Sequence, residues 1–175
     1  MTPRRRDALI LGGVGIVAAA TGVLVGPMIL QSRSGAAELL SARFPDTSGR
    51  VRGLSEWSGQ ILVCNFWATW CPPCVEEIPL LAAARERFAA KNVEVVGIAV
   101  DSEKNVAQFS KRMRVTYPVL ISGAEGLALV RKLGNPSGGL PFTVILDRAG
   151  SIVETKLGAY QATELEVILQ RLTAD

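Results

Sequence analysis

The feature that most constrains the fold is a hydrophobic segment followed closely by two cysteines that flank two prolines. The segment from Ile61 to Trp67 is apolar except for Asn65, and this pattern indicates a buried strand. Pro72 and Pro73 follow it, and proline is tolerated in the first turn of a helix because the N–H group it lacks would be unpaired there. The sequence therefore predicts a strand, a short loop and a helix that begins near Cys71.

The positions of the two cysteines predict redox chemistry. Cys71 is expected at the helix N-terminus as an exposed thiolate, because free backbone N–H groups and the helix dipole lower its pKa below the roughly 8.5 of a free cysteine. Cys74 lies three residues later on the same helical face, so a disulfide between them is within reach. Cys71 would attack a substrate disulfide as nucleophile, and Cys74 would resolve the mixed disulfide and release the reduced substrate.

Two other roles for the cysteine pair have to be considered, namely a structural disulfide and half of a zinc site. A structural zinc site needs four ligands. The chain has only Cys64 besides the pair, and it has no histidine. Zinc is therefore nearly excluded and no metal or other cofactor is expected, whereas an inert disulfide stays open.

Three segments resemble the membrane-anchored TlpA/ResA branch of the thioredoxin superfamily. They are Asn65 to Cys74 with Glu77 and Pro79 behind it, Gly138 to Gly150, and Gly49 to Gln60. The resemblance covers about Phe44 to Leu172. It implies a thioredoxin-like α/β fold, with a central mixed sheet flanked by helices on both faces and an N-terminal hairpin extension. The hydrophobic pattern agrees with this order of elements and adds a final helix, which we expect Thr163 and Glu166 to cap.

The resemblance also implies a substrate site. Pro141 matches the proline that is cis in this superfamily, although an ordinary trans proline at the start of an edge strand remains an alternative. A cis bond would direct the backbone of Leu140 toward the cysteines, where it could pair with an extended substrate segment. Trp70 is expected to cover Cys71 in part. The predicted apolar substrate groove consists of Trp70, Pro72, Pro73, Leu140 and Pro141.

A proton acceptor for the second cysteine is less obvious. Thioredoxin carries a buried aspartate where this chain has Asn65, and an amide cannot take a proton. Glu77 matches a glutamate of ResA-like proteins and is the candidate for proton transfer. The alternative is a solvated glutamate in the first turn of the helix, where the dipole favours a negative charge.

Cys64 is predicted to be a buried structural thiol, because a free cysteine behaves as a small hydrophobic residue. A third redox thiol is the weaker alternative. The strand between Cys64 and the motif is rigid and extended, so Cys64 could reach Cys71 only by rearrangement.

The N-terminal region predicts export. Arg4, Arg5 and Arg6 precede an uncharged stretch of 23 residues, Ala8 to Leu30, which as a helix would span roughly 34 Å. Residues 1–35 are assigned to a signal anchor or transmembrane segment with its linker, with a polar stretch at 31–38, and residues 36–175 to the thioredoxin-like domain. The positive-inside rule places that domain on the periplasmic side. Retention as a single-pass anchor and cleavage to a soluble periplasmic protein both remain open.

The charge distribution gives no support for a nucleic-acid partner, and none is expected. The net charge is +3, and four of the 19 basic and one of the 16 acidic residues lie in the first 35. The remainder has 15 of each. The basic excess therefore belongs to the leader.

The function expected from these features is that of a thiol-disulfide oxidoreductase acting as a reductase. Pro72 and Pro73 add no charge that would stabilise the thiolate, so a reducing couple is expected. In an oxidising compartment such a couple needs an electron supply. The resemblance implies a membrane donor of the DsbD or CcdA kind, and disulfide-containing exported proteins as substrates, in cytochrome c or oxidase copper-site maturation. The alternatives are an oxidase or isomerase, and a non-enzymatic copper-delivery or scaffold role.

Overall fold

The computed structural model describes residues 35–174. The predicted leader, from Arg4 through Leu30, lies outside these residues, and its assignment stays a prediction. Within residues 35–174, no helix combines the length and the apolar character needed to cross a membrane.

The described chain begins with a helix and a small hairpin. Helix α1 covers residues 35–41, so the expectation of a linker at 31–38 is wrong for its second half. The reason is that Ala36 and Leu39, three residues apart, bury one face of α1 in the domain. Strands β1 (Arg43–Pro45) and β2 (Val51–Gly53) then pair antiparallel. A short 3-10 turn at Leu54–Trp57 follows, which confirms the predicted hairpin extension.

Five strands form the central sheet in the order β5-β4-β3-β6-β7. Their bounds are Ile61–Trp67 for β3, Val93–Ala99 for β4, Val119–Ile121 for β5, Phe142–Leu146 for β6 and Ile152–Leu157 for β7. Strand β3 is parallel to β4 and antiparallel to β6, and β6 pairs antiparallel with β7. The predicted mixed sheet is therefore confirmed. All seven residues of β3 are buried, which explains why its sequence is an almost unbroken apolar run.

Helices cover both faces of the sheet. The remaining helices are α2 (Pro72–Phe88), α3 (Glu103–Met113), α4 (Glu125–Lys132) and α5 (Ala162–Leu172). One hydrophobic cluster joins alternate residues of β3, such as Val63 and Trp67, to α2, α3 and α5. The second cluster joins the intervening residues, such as Leu62, to α1 and α4. This two-layered core confirms the thioredoxin-like architecture.

The start of α5 differs from the prediction. The N-cap is Gln161, not Thr163, so the helix begins one residue before that threonine. Glu164, three residues after the true cap, accepts a hydrogen bond from the Gln161 backbone N–H at 3.4 Å. Glu166 instead pairs with Arg87 of α2, with 2.6 Å between Oε1 and Nη2.

Candidate active site

A disulfide links Cys71 and Cys74 at the N-terminus of α2, with 5.3 Å between their Cα atoms. Cys71 is the N-cap residue, as predicted. Its carbonyl oxygen accepts hydrogen bonds from Cys74 N and Val75 N, both at 3.1 Å, so the first turn of the helix closes on the cysteine. The sequence reasoning therefore identified the disulfide correctly. The roles of Cys71 as nucleophile and Cys74 as resolving residue stay predictions.

Both cysteines are buried in this oxidised state. Cys71 is 5% exposed and Cys74 is fully buried, so the expectation of an exposed Cys71 is wrong for the disulfide form. The reason is that the pair packs into the hydrophobic cluster that also contains Ala68 and Tyr160. Trp70, just before Cys71, is 67% exposed and presents most of its indole to solvent.

The proline loop lies near the disulfide. The peptide bond between Leu140 and Pro141 is cis, so the alternative of a trans proline is wrong. Leu140 packs against the cluster that contains both cysteines, whereas Pro141 is buried. Pro72 and Pro73, on the helix side, are exposed. The arrangement leaves Trp70, these two prolines and Leu140 accessible, and their role as a substrate groove stays a prediction.

Glu77 is enclosed by protein, with an exposed fraction of 3%. It lies in the second turn of α2, so the alternative of a solvated first-turn glutamate is wrong. Its Oε1 accepts a hydrogen bond from Tyr160 N at 2.7 Å, and its Oε2 accepts one from Asn65 Nδ2 at 3.2 Å. Burial raises the pKa of Glu77, and these two hydrogen bonds oppose that shift only in part.

Asn65 connects this carboxylate to the sheet. Its Nδ2 also donates to Thr143 Oγ1 at 3.0 Å, so Asn65 connects β3 to both α2 and β6. Within the described residues, Asn65 Oδ1 has no hydrogen-bond partner. Thr143 was missed by the sequence reasoning, although a polar residue in the otherwise apolar strand β6 could have revealed it. Tyr160 contributes a backbone N–H group, for which no sequence signal exists.

One short segment contacts both the proline loop and Glu77. Gly158 N donates to Pro141 O at 2.8 Å, and Tyr160 N donates to Glu77, two residues later. Gly158 has a φ of +93°, a left-handed conformation that favours glycine. We call residues 158–160 the connecting segment.

A second site that the sequence reasoning missed supports the loop before Cys71. Asp101 follows β4, and its Oδ2 accepts hydrogen bonds from Thr69 N, at 3.3 Å, and from Thr69 Oγ1. Its Oδ1 accepts hydrogen bonds from Ser102 N at 2.7 Å and from Asn105 Nδ2 at 2.9 Å. Burial alone would raise the pKa of Asp101, but these hydrogen bonds outweigh it and hold the pKa below its usual value.

Cys64 is the free cysteine of residues 35–174, and its side chain is fully buried. Burial raises the pKa of its thiol, which removes the thiolate needed for redox chemistry. The prediction of a buried structural thiol is confirmed.

A thioredoxin-like sheet, a Cys-x-x-Cys disulfide at a helix N-terminus and a nearby cis-proline define a thiol-disulfide oxidoreductase of the thioredoxin superfamily. Residues 35–170 match the Redoxin family, and the chain belongs to that family.

Similar proteins agree with this class. The chain is 32% identical over 130 residues to the thiol-disulfide oxidoreductase ResA of a Bacillus cereus strain, in a match that covers 73% of this chain and 72% of that protein. It is 33% identical over 132 residues to the thioredoxin-like protein YneN of Bacillus subtilis (strain 168), with the same coverage of 73% and 72%. A thiol:disulfide interchange protein from Chlorobium tepidum TLS has a crystal structure that superimposes with a TM-score of 0.65 at 27% identity, covering 76% of this chain and 93% of that one. The resemblance to TlpA/ResA-like proteins and the enzyme class are thereby confirmed.

Proposed function

We propose that the chain reduces disulfides of exported proteins on the outer side of the cytoplasmic membrane. The observation that carries this proposal is the Cys71–Cys74 disulfide, at the N-terminus of α2 and one helical turn from the buried carboxylate of Glu77. A disulfide placed in this way can take up two electrons and two protons to become a dithiol, which can then pass the electrons to a substrate disulfide. The enzyme class argues against the copper-delivery and scaffold alternatives.

The reaction proceeds through two exchanges. The Cys71 thiolate attacks one sulfur of the substrate disulfide, a new S–S bond forms, and the other substrate sulfur leaves as a thiolate that takes a proton. Cys74 then loses its proton and attacks the Cys71 sulfur, which restores the Cys71–Cys74 disulfide and releases the second substrate thiol. The substrate gains two electrons and the enzyme loses two.

Glu77 accepts the proton that Cys74 loses. It follows Cys74 by three residues, and residues at this spacing lie next to each other on a helix surface. Its pKa is raised by burial, which brings the carboxylate closer to the pKa of a thiol and makes it a better base for this step.

The leader supports the location. Arg4, Arg5 and Arg6 before an apolar stretch long enough to cross a bilayer favour a single-pass anchor with the domain outside. A domain on that side is cut off from cytoplasmic reductants, so a membrane protein of the DsbD or CcdA kind supplies the electrons. The substrate thiols are cysteines of exported proteins, such as those that receive haem in apocytochrome c or copper in oxidase assembly factors.

Trapping the substrate tests the proposal directly. Without the resolving cysteine the mixed disulfide cannot be released, so Cys74→Ser in the full-length chain should accumulate adducts on Cys71 in cells. The adducts should disappear on treatment with dithiothreitol and should be absent from the variant that also carries Cys71→Ser. If Cys74→Ser is folded and exported but forms no adduct, the proposed function is wrong.

The reduction potential separates the reductase from the oxidase or isomerase alternative. Equilibration of the Cys71–Cys74 pair with a series of dithiothreitol or glutathione mixtures measures it. A reductase is expected at or below roughly −220 mV, whereas a value near about −120 mV would make the chain an oxidant.

A further inference from the structure

The loop that carries Cys71 is hydrogen-bonded to the side chain of Asp101, which lies just after strand β4. The residues between β3 and α2 form a tight turn in which Cys71 N donates to Ala68 O at 3.2 Å. Thr69 lies inside this turn. Both its backbone N–H and its hydroxyl donate to one carboxylate oxygen of Asp101.

Asp101 is itself fixed on its other side. Ser102 N and Asn105 Nδ2 donate to its second carboxylate oxygen, and Asn105 belongs to α3. The residues that precede Asp101 and the turn are also hydrogen-bonded to each other, because Val100 N donates to Trp67 O at 2.8 Å. The carboxylate therefore connects the turn to the junction of β4 and α3. It is ionised in the folded chain because four hydrogen bonds stabilise its negative charge.

We propose that Asp101 is a positioning residue for the attacking cysteine, and that it acts through Thr69. The carboxylate holds the turn so that Cys71 caps α2 with its sulfur aligned for attack on a substrate disulfide. The inference rests on the proposed role of Cys71 as the nucleophile.

This role is distinct from packing because the turn has few other restraints. Thr69 is half-buried and the next residue, Trp70, is 67% exposed, so the middle of the turn lies at the surface, whereas Ala68 and Cys71 at its ends are buried. A turn at the surface that loses its carboxylate partner can shift without unfolding the domain. In general, a displacement of about 1 Å at a reacting group can cost up to about 100-fold in rate.

The chain offers matched variants. Thr69→Val removes the hydroxyl that donates to Asp101 and keeps the size of the side chain, whereas Thr69→Ser keeps the hydroxyl. Asp101→Ala removes the acceptor. Asn105→Ala removes a donor on the other side of the same carboxylate and leaves both contacts of Thr69 in place, so it is the control for loss of a hydrogen bond to Asp101.

The experiment follows the reaction of the reduced full-length chain with an aromatic disulfide reagent, by stopped-flow absorbance over a range of pH. The profile yields two quantities, the pKa of Cys71 and the limiting rate constant of its thiolate. We expect Thr69→Val and Asp101→Ala each to lower the limiting rate constant about tenfold, within the range for displaced reacting groups. The double variant should lose no more than Asp101→Ala alone, because that change already removes both contacts of Thr69. Thr69→Ser should react like the parent, and Asn105→Ala, which keeps both contacts of Thr69, should lose less than Asp101→Ala.

A purely structural role predicts a different result. In that case the variants would have a lower Tm, while the folded molecules would keep the limiting rate constant of the parent, and the inference would be wrong. It would also be wrong if only the pKa of Cys71 changed, since that is an effect of charge and not of position. If Asp101→Ala does not fold, the comparison of Thr69→Val with Thr69→Ser decides alone. A parent chain whose Cys71 does not react at all would instead overturn the proposed function.

Discussion

Glu77 is buried, and burial disfavours the negative charge of its carboxylate more than its two hydrogen bonds favour it. Because burial raises its pKa above the ordinary 4.5, the folded chain binds more protons than the unfolded chain between the two values. The contribution of Glu77 to stability is therefore fully present below pH 4.5 and is lost as the pH rises through the folded-state pKa. We expect this decline in Tm to be weaker in Glu77→Gln, measured on the oxidised chain by thermal unfolding across that range.

Glu76 provides the control for this prediction. It is the neighbouring residue on α2, but it is exposed. Glu76→Gln removes a carboxylate of the same kind at an exposed position, and so measures how much of any change in Tm comes from the loss of a charge alone. If Tm falls with rising pH equally in Glu77→Gln and in the parent, Glu77 does not contribute to the pH dependence of stability.

Cys64 is expected to be chemically silent in the folded chain. It is fully buried and its thiol has a raised pKa, so neither access nor ionisation favours reaction. In the oxidised chain, an alkylating reagent should add no label under native conditions and one label after unfolding, as counted by mass spectrometry. Cys64→Ala should take up none in either state. A native label on Cys64 would show that the strand opens more readily than its burial implies.

Single residues also show where sequence reasoning was sufficient. The Cys71–Cys74 disulfide and the burial of Cys64 were correctly predicted because they follow from local sequence, and the cis bond at Pro141 was correctly predicted from the family resemblance. The hydrogen bond from Tyr160 N to Glu77 could not be predicted, because 83 positions separate the two residues in the chain. The contact of Asp101 with Thr69 was missed for the same reason, since 32 positions separate them.

Strand β4 contains a glycine that the packing of its neighbours requires. A Cβ atom at Gly97 would lie 2.9 Å from Trp67 Nε1 and 3.0 Å from Tyr117 Cε2, closer than side chains normally approach. We expect Gly97→Ala to lower the free energy of unfolding by about 1–3 kcal/mol, the usual cost of overpacking a core. Urea unfolding of the oxidised chain measures the change.

Gly35 offers a comparison for this substitution. A Cβ atom there would meet Leu133 Cδ2 at 3.5 Å, an ordinary contact, and the residue lies in a helix. Gly35→Ala should be neutral or stabilising, because alanine favours helix more than glycine does. A loss at Gly35 as large as that at Gly97 would contradict the packing explanation.

Among the elements, those with strong local signals were predicted well. Strand β3 and helix α2 follow from an apolar run and two prolines. The start of α5 was wrong because Gln161 is a weaker capping residue than Thr163 by local preference alone. The helix at 35–41 was missed because its apolar face has a partner only when the sheet is in place.

At the scale of the whole molecule, the direction of electron transfer is linked to the difference in stability between the oxidised and the reduced chain. A strong oxidant of this superfamily owes its high potential to the stability of its reduced form. A reductase is therefore expected to be more stable when oxidised. We expect the Tm of the chain with the Cys71–Cys74 disulfide to exceed that of the reduced chain, measured by calorimetry with and without dithiothreitol.

The variant that carries both Cys71→Ser and Cys74→Ser cannot form the disulfide. Its Tm should therefore be the same with and without dithiothreitol, which controls for other effects of the reductant. A reduced chain more stable than the oxidised one would favour the oxidase alternative.

The connecting segment has a practical consequence for redesign. Within three residues it hydrogen-bonds to the carbonyl of Pro141 and to the carboxylate of Glu77. The proline loop and the carboxylate of Glu77 are thus not independent modules. A graft of the proline loop from a relative should therefore carry residues 158–160 with it, because a transplanted loop of different shape would shift the segment that also hydrogen-bonds to Glu77.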